Sequence, residues 1–491
     1  MNTGHCRVMI AIGFLLMACT PRGVDIMLRA PVASTSDRDS LGPVDGVQLA
    51  DGAYKAYDMQ AADAVTAGDS DSGVVGDPSI SFTSWSDYLE TLALDPCPES
   101  VVLWVTTAAY ELDGGSGISD SADAGPTLSF LEALWIAHNT GAATTVRFSP
   151  SVFPPEFPTP IVMDPDVALW PAILQNLCVD GRGARPVLQF VIPNICEAPG
   201  CSGIYWGASR LVGVTVLPPD DARWTMDFFS GTRVEGCRLG TDGSTSVAPN
   251  AIYPFRVSQS YLGPGNVVTG ANAVEASLST FWIIDNYFGF DPVTGVDLSL
   301  GEGVSVIGSG TISGNYFTSH SAAINVAGNP GCQLTLTHNR FGPAWDGQAQ
   351  VHGYGVISSS LDGTSVLIVG PGNRMRSLRR AVVAQGHVRL TQNSIFNNDE
   401  PLVLDSVAPI PPTIIAANST SASGSCHVAG TVELFSDLLS EGEQYLGSAG
   451  CDFTHLWSYT GPIPVGRNVT ATLTTGDGDT STFSVPRAVS E

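Results

Sequence analysis

Four arginines crowd into the stretch "NRMRSLRR": Arg374, Arg376, Arg379 and Arg380. Guanidinium groups this dense can hold a carboxylate or sulfate through paired hydrogen bonds, so the stretch is a candidate anion-binding surface. A solvated outer face paired with nearby acids is the plainer use of the same residues. Asp477 and Asp479 in "TTGDGDTS" could hold Ca²⁺ weakly. They lack the twelve-residue loop with its closing Glu, and a hairpin turn is the better reading. Asp220 and Asp221 are adjacent, which on a strand turns them to opposite faces, and "PPDDAR" reads as a loop. Spacing alone thus assigns no catalytic residue and no metal site, since neither CxxC nor Cys–His spacing occurs.

The elements that must carry these groups are bounded by bulk composition. A chain of 491 residues favours several domains or an elongated repeat. Its 53 Gly, 33 Pro and 14% charged residues describe a turn-rich, β-rich body. The net charge of -26 excludes nucleic acid as a partner class and disfavours anionic membrane surfaces. At the amino terminus, Arg7 precedes the apolar run from Val8 to Ala18, too short to span a bilayer and placed as an export signal. "LMAC" then resembles a bacterial lipobox, which implies lipidation at Cys19 after removal of residues 1–19; ordinary signal cleavage nearby is the alternative. Residues 20–83, rich in Ala, Asp, Gly, Ser and Thr, read as a disordered acidic tether.

Setting aside Cys6 and Cys19 leaves eight cysteines, an even number that in an exported chain points to disulfides in one of 105 arrangements. Two pairings are local expectations: Cys196 with Cys201, and Cys426 with Cys451.

A capping segment is expected over 84–145. Within it Ser129 and Glu132 have capping-box spacing, Gly141 stands just past the apolar stretch, and a short helix between them would cover the first coil of a solenoid. Over 146–408 one local pattern recurs. Asn286 has Ile283 three residues before and Phe288 two after; Asn315 has Ile312 and Phe317, Asn339 has Leu336 and Phe341, and Asn393 has Leu390 and Ile395. Cys237 sits between Val234 and Leu239, while Asn266 and Asn373 keep only the trailing Val268 and Met375. From Cys237 the intervals run 29, 20, 29, 24, 34 and 20. A constant signature at variable spacing suits one strand–turn–strand corner per coil, with insertions at the other corners. Asparagine tolerates left-handed backbone, and stacked amides would form a ladder beside a core of Ile, Leu and Phe.

These motifs carry a resemblance. "WVTTAAYELDGG" with "LSFLEALWIAHNTGAATTVRF" is similar to the amino-terminal segment of exported bacterial β-helix proteins named for a Cys-Ser-Leu-Arg-Glu-Ala motif, with Ser129, Glu132 and Ala133 among the matched positions. "VEGCRLGTDGST" and "IIDNYFGFDPVTG" resemble a Gly-Asn-Tyr-Ile-Gly-Thr-Asp repeat of such proteins. The implied fold is an all-β, right-handed parallel β-helix over about residues 100 to 405, with a β-sandwich as the alternative. After the proline-rich hinge near 408–413, residues 409–491 read as a small β-sandwich that resembles the immunoglobulin-like modules ending exported repeat proteins, with Trp457 as its core anchor.

Carbohydrate-active β-helices, which the fold resembles, use paired carboxylates or Ca²⁺ with a basic residue. His387 in "QGHVRL" is only faintly similar to a polygalacturonase motif. The expectation is therefore a non-catalytic, lipid-anchored, monomeric cell-surface protein that binds a glycan or another cell-surface ligand. Its rival is a polysaccharide lyase or hydrolase. An enzyme requires three or more Asp, Glu, Arg or His residues from successive coils converging in one groove.

Overall fold

The computed structural model describes residues 8–11, 14–17, 82–113, 115–122, 124–163, 174–191, 204–219, 226–243, 252–277, 280–298, 300–318, 321–327, 330–343, 351–359, 364–405 and 408–491. Val8–Ala11 and Phe14–Met17 form a short antiparallel hairpin. Cys19, Cys196, Cys201, Asp220 and Asp221 lie outside the described residues.

The body is a parallel β-helix. Strands recur in rotation among three sheets of eleven, ten and nine strands, and neighbours within each sheet come from successive coils. Parallel crossovers of this kind are right-handed almost without exception. The recurring motif spans the corner between two of these sheets. Ile283 lies on Phe281–Ile284 of the eleven-stranded sheet, and Phe288 lies on Tyr287–Phe288 of the ten-stranded one. Both are fully buried. Phe288, Phe317 and Phe341 stack in register, with centroids 4.7 and 5.1 Å apart, and Met375 and Ile395 continue the column.

Between these apolar columns runs the amide ladder. Asn266 Nδ2 donates to Asn286 Oδ1 at 2.8 Å, Asn286 to Asn315 at 2.9 Å, Asn315 to Asn339 at 3.0 Å, Asn339 to Asn373 at 3.0 Å, and Asn373 to Asn393 at 2.9 Å. Each Nδ2 also reaches a carbonyl on another coil, as Asn315 does with Ile283 at 2.8 Å. The Asn315 oxygen accepts the backbone N–H of Asn286, and Cys237 N–H donates likewise to Asn266 Oδ1. The left-handed residue, however, is the one before each asparagine: Gly265, Asp285, Gly314, His338, Gly372 and Gln392 all have positive φ. The asparagine is needed for its inward amide; the preceding residue makes the turn.

At the amino-terminal end, Phe130–Thr140 is a helix whose capping box joins Ser129 and Glu132 and whose end is Gly141 in the left-handed region. Phe130, Leu134 and Ala137 pack into the β-helix core, where Phe130 meets Phe148 and Phe148 meets Phe153. The span 84–145 does not behave as one cap. Val101–Val105 is already a strand of the eleven-stranded sheet, whereas the helix Trp85–Thr91 docks against later coils. Trp85, Tyr88 and Leu89 bury against Val267, Tyr287, Phe290 and Tyr316, and the Tyr88 hydroxyl donates to the Gly265 carbonyl. Leu92 fills the space a Cβ at Gly265 would need, at 2.3 Å, which is why that corner is glycine. Beneath this strap the buried Arg238 pairs with Asp291 at 2.9 Å and lies 4.1 Å from the Trp85 ring.

Disulfides close Cys97 to Cys178, tying the strap to the β-helix, and Cys426 to Cys451. The expectation that all eight cysteines pair is corrected here, because Cys237 and Cys332 are free. Cys237 occupies a ladder position in the core, where burial pushes its thiol up to about 12.

Residues from Thr413 onward form two antiparallel sheets of three and four strands around the buried Trp457. This sandwich closes the last coil. Ile395 and Gly442 exchange two backbone hydrogen bonds of 2.8 Å, and Thr480 N–H donates to the Val388 carbonyl at 2.9 Å. The buried Glu433 accepts from Thr391 Oγ1 and Gln392 N–H, and Glu441 accepts from the Asn398 backbone and side chain.

Replacing Asn315 by Ala strips partners from two buried donors of Asn286 and from the Ile283 carbonyl, a loss on the order of 3 kcal/mol. Asn315→Asp is expected to cost more at neutral pH, where it buries a charge, and to recover in part on acidification. Thermal melts of both variants at pH 4 and pH 7 check the order.

Candidate functional site

Alternation along a strand turns every second side chain outward, and coil-on-coil register aligns those side chains in columns. On the nine-stranded sheet one outward column is polar for six rungs. It runs Tyr205, Asp227, Arg256, Glu275, Ser305 and Asn325, and then turns apolar at Ile357. Each charged member lies between apolar neighbours that face the core, as Asp227 does between Met226 and Phe228, and Glu275 between Val274 and Ala276.

Arg256 sits between two carboxylates from the coils on either side. Its Nη1 is 3.5 Å from Asp227 Oδ2 and its Nε 3.5 Å from Glu275 Oε1, and Nε donates to Ser277 Oγ at 2.8 Å. Asp227 and Glu275 are 8% and 7% exposed although both point away from the core. Burial, reinforced by Glu275 and opposed by Arg256, pushes the Asp227 carboxyl up to about 6. At the strip's two ends Tyr205 is exposed, and Asn325 Nδ2 donates to Glu302 at 3.2 Å. Three charged residues from successive coils therefore converge, none of which the sequence reading singled out. The signal was present as a lone charge inside an apolar β run, in "MDFF", "PFRV" and "AVEAS".

The arginine-rich run does not form one cradle. Arg374 and Arg376 lie on a strand of the ten-stranded sheet and Arg379 and Arg380 on a strand of the nine-stranded sheet, with Ser377 at positive φ between them. Each has local company: Arg374 stands 5.3 Å from the Phe396 ring, Arg376 donates to the Pro343 carbonyl, Arg379 is 5.7 Å from the Tyr354 ring, and Arg380 pairs with Glu400 at 2.6 Å. The corner divides the run, so four neighbours in sequence serve two faces. Asp479 is 2.9 Å from His387 Nδ1, which ties the sandwich to the β-helix and engages both residues. Among the described residues, no three His, Cys, Asp or Glu side chains gather as a metal site.

No family description matches the chain, and comparison with curated proteins finds no match. Among solved structures the Dettilon tailspike protein is similar over 74% of this chain and 92% of its own, at 10% identity and a TM-score of 0.26. No residue role is carried over from it.

A carboxyl whose folded-state pKa lies above its unfolded value holds its proton more tightly when folded, so stability falls as pH rises from about 4 to about 6 and is level above. Asp227→Asn should abolish that slope and raise stability at pH 7 by on the order of 3 kcal/mol. At pH 4 it should change little. Thermal midpoints at pH 4, 5, 6 and 7 give the comparison.

Proposed function

We propose that this chain is an exported, lipid-anchored protein that binds a glycan along the nine-stranded face of its β-helix, without cleaving it. The supporting observation is the six-rung outward strip from Tyr205 to Asn325, about 24 Å long at strand spacing. Its accessible members are the Tyr205 ring at one end, the Arg256 guanidinium between its buried carboxylates, and the Asn325 amide at the other end, groups that can fix a polyhydroxylated chain. Asp227, Glu275 and Glu302 outnumber Arg256, and the protein as a whole is acidic, so neutral or amine-bearing glycans fit better than uronates. Export and anchoring rest on the leader and on Cys19 in "LMAC".

Convergence of charge alone would equally suit a hydrolase. The carboxylates, held against one guanidinium, are on the order of 9 Å or less apart, within the reach of an inverting pair. Arg256 fills the gap in which the sugar and its attacking water would have to lie. The triad consequently fits recognition and rigidity better than acid–base chemistry.

Screening the purified protein against neutral, amino and uronate glycans should find binding in the first two classes. Tyr205→Ala and Asn325→Ala, at opposite ends of the strip, should each weaken it about fivefold to tenfold. Release of reducing ends from a bound glycan would replace recognition by hydrolysis, and binding untouched by both substitutions would remove the strip from the site.

A further inference from the structure

The eleven-stranded sheet carries a different outward column, away from the strip. In register it runs Arg233, Tyr261, Trp282, Thr311, Thr335 and Ile368. Tyr261 and Trp282 stack on each other with centroids 4.3 Å apart and planes 8° from parallel, and Tyr261 is 38% exposed. Large aromatic rings normally earn their place by burial, yet this pair stands on the outer face of the sheet. On the Tyr261 side the next rung is Arg233, whose guanidinium pairs with Glu235 at 2.8 Å. On the Trp282 side the column drops in size: the next two rungs are threonines, and Ile368 restores bulk only on the third.

The indole thus forms the wall of a step about two strand spacings, or roughly 10 Å, long. Its floor holds hydroxyls, from Thr311 and Thr335 and from the outward neighbours Ser313 and Thr337, whose oxygens are 2.9 Å apart. None of these four side chains is charged.

We infer that this step is a second binding site, for one pyranose ring of a neutral glycan. An apolar sugar face laid on Trp282 continues the stack that Tyr261 begins, and the ring hydroxyls meet threonine and serine hydroxyls in place of water. An acidic sugar is disfavoured because the four side chains of the floor carry no charge and the protein has a net charge of -26. A peptide or a membrane surface would need either charge complementarity or a broader apolar area than one indole provides. This site stands independently of the strip on the nine-stranded sheet, so either can fail alone.

The test titrates the full chain carrying Tyr205→Ala and Asn325→Ala, which weaken the strip, with cellohexaose, maltohexaose and chitohexaose by calorimetry. At least one should bind, and Trp282→Ala should weaken it about tenfold or more. Thr311→Phe should do the same by a different route, because the new ring would extend the stack and occupy the step while leaving the core columns alone. The parent chain, with its strip intact, should show the same Trp282-dependent component. Failure of all three sugars to bind, or binding that survives both Trp282→Ala and Thr311→Phe, overturns the assignment. Parent-chain binding lost with Tyr205→Ala and Asn325→Ala and not with Trp282→Ala would place all recognition on the strip and overturn it equally. Retained thermal midpoints for Thr311→Phe separate a blocked site from a damaged fold.

Discussion

The structure depends on one repeated exchange: a buried side-chain amide that is satisfied by the coils on both sides of its own. Asn286, Asn315, Asn339 and Asn373 each use the Nδ2 group to reach a carbonyl and the next asparagine, and each uses Oδ1 to receive. In a low-dielectric core an unmatched amide is costly, so a coil that slipped by one residue would forfeit several bonds at once. The ladder therefore does more than fill the interior. From the coil of Cys237 to that of Asn393 it locks the register of the strands on either side of the corner, and that register decides which side chains share an outer column.

Both outer columns inherit their geometry from this constraint and use it differently. On the nine-stranded sheet, register places Arg256 between two buried carboxylates, whose burial it offsets in part. On the eleven-stranded sheet it places Trp282 on Tyr261 and small hydroxyl residues beyond. Charge dominates the first and shape the second. A long repetitive face can hold two such chemistries without conflict, because each rung contacts mainly its immediate neighbours.

Much of the scaffold was legible in the sequence because its signals are local. The Asn-centred corner, the capping box at Ser129 and Glu132, and the change of pattern after 408 all lie within a few residues of themselves. The strip was not legible for the converse reason. Asp227 and Arg256 are 29 residues apart and Arg256 and Glu275 are 19 apart, intervals set by unequal loops, so no fixed spacing announces that they meet. The arginine run failed in the opposite sense: proximity along the chain suggested proximity in space, and a single corner at Ser377 undid it. Cys97 and Cys178 are likewise separated by 81 residues and joined only because the strap lies back across the early coils.

The closure of the last coil by the terminal sandwich has a bearing on growth and on evolution. An open solenoid end is a template on which another chain can add strands without limit. Here Gly442 and Thr480 occupy main-chain positions that an incoming strand would seek, and Glu433 and Glu441 set carboxylates across its path. With one end plugged by a helix and the other by this module, whole turns could be gained or lost between them while both terminations stay intact. The reach of such a protein would then be an adjustable quantity, altered by duplication without rebuilding either stop.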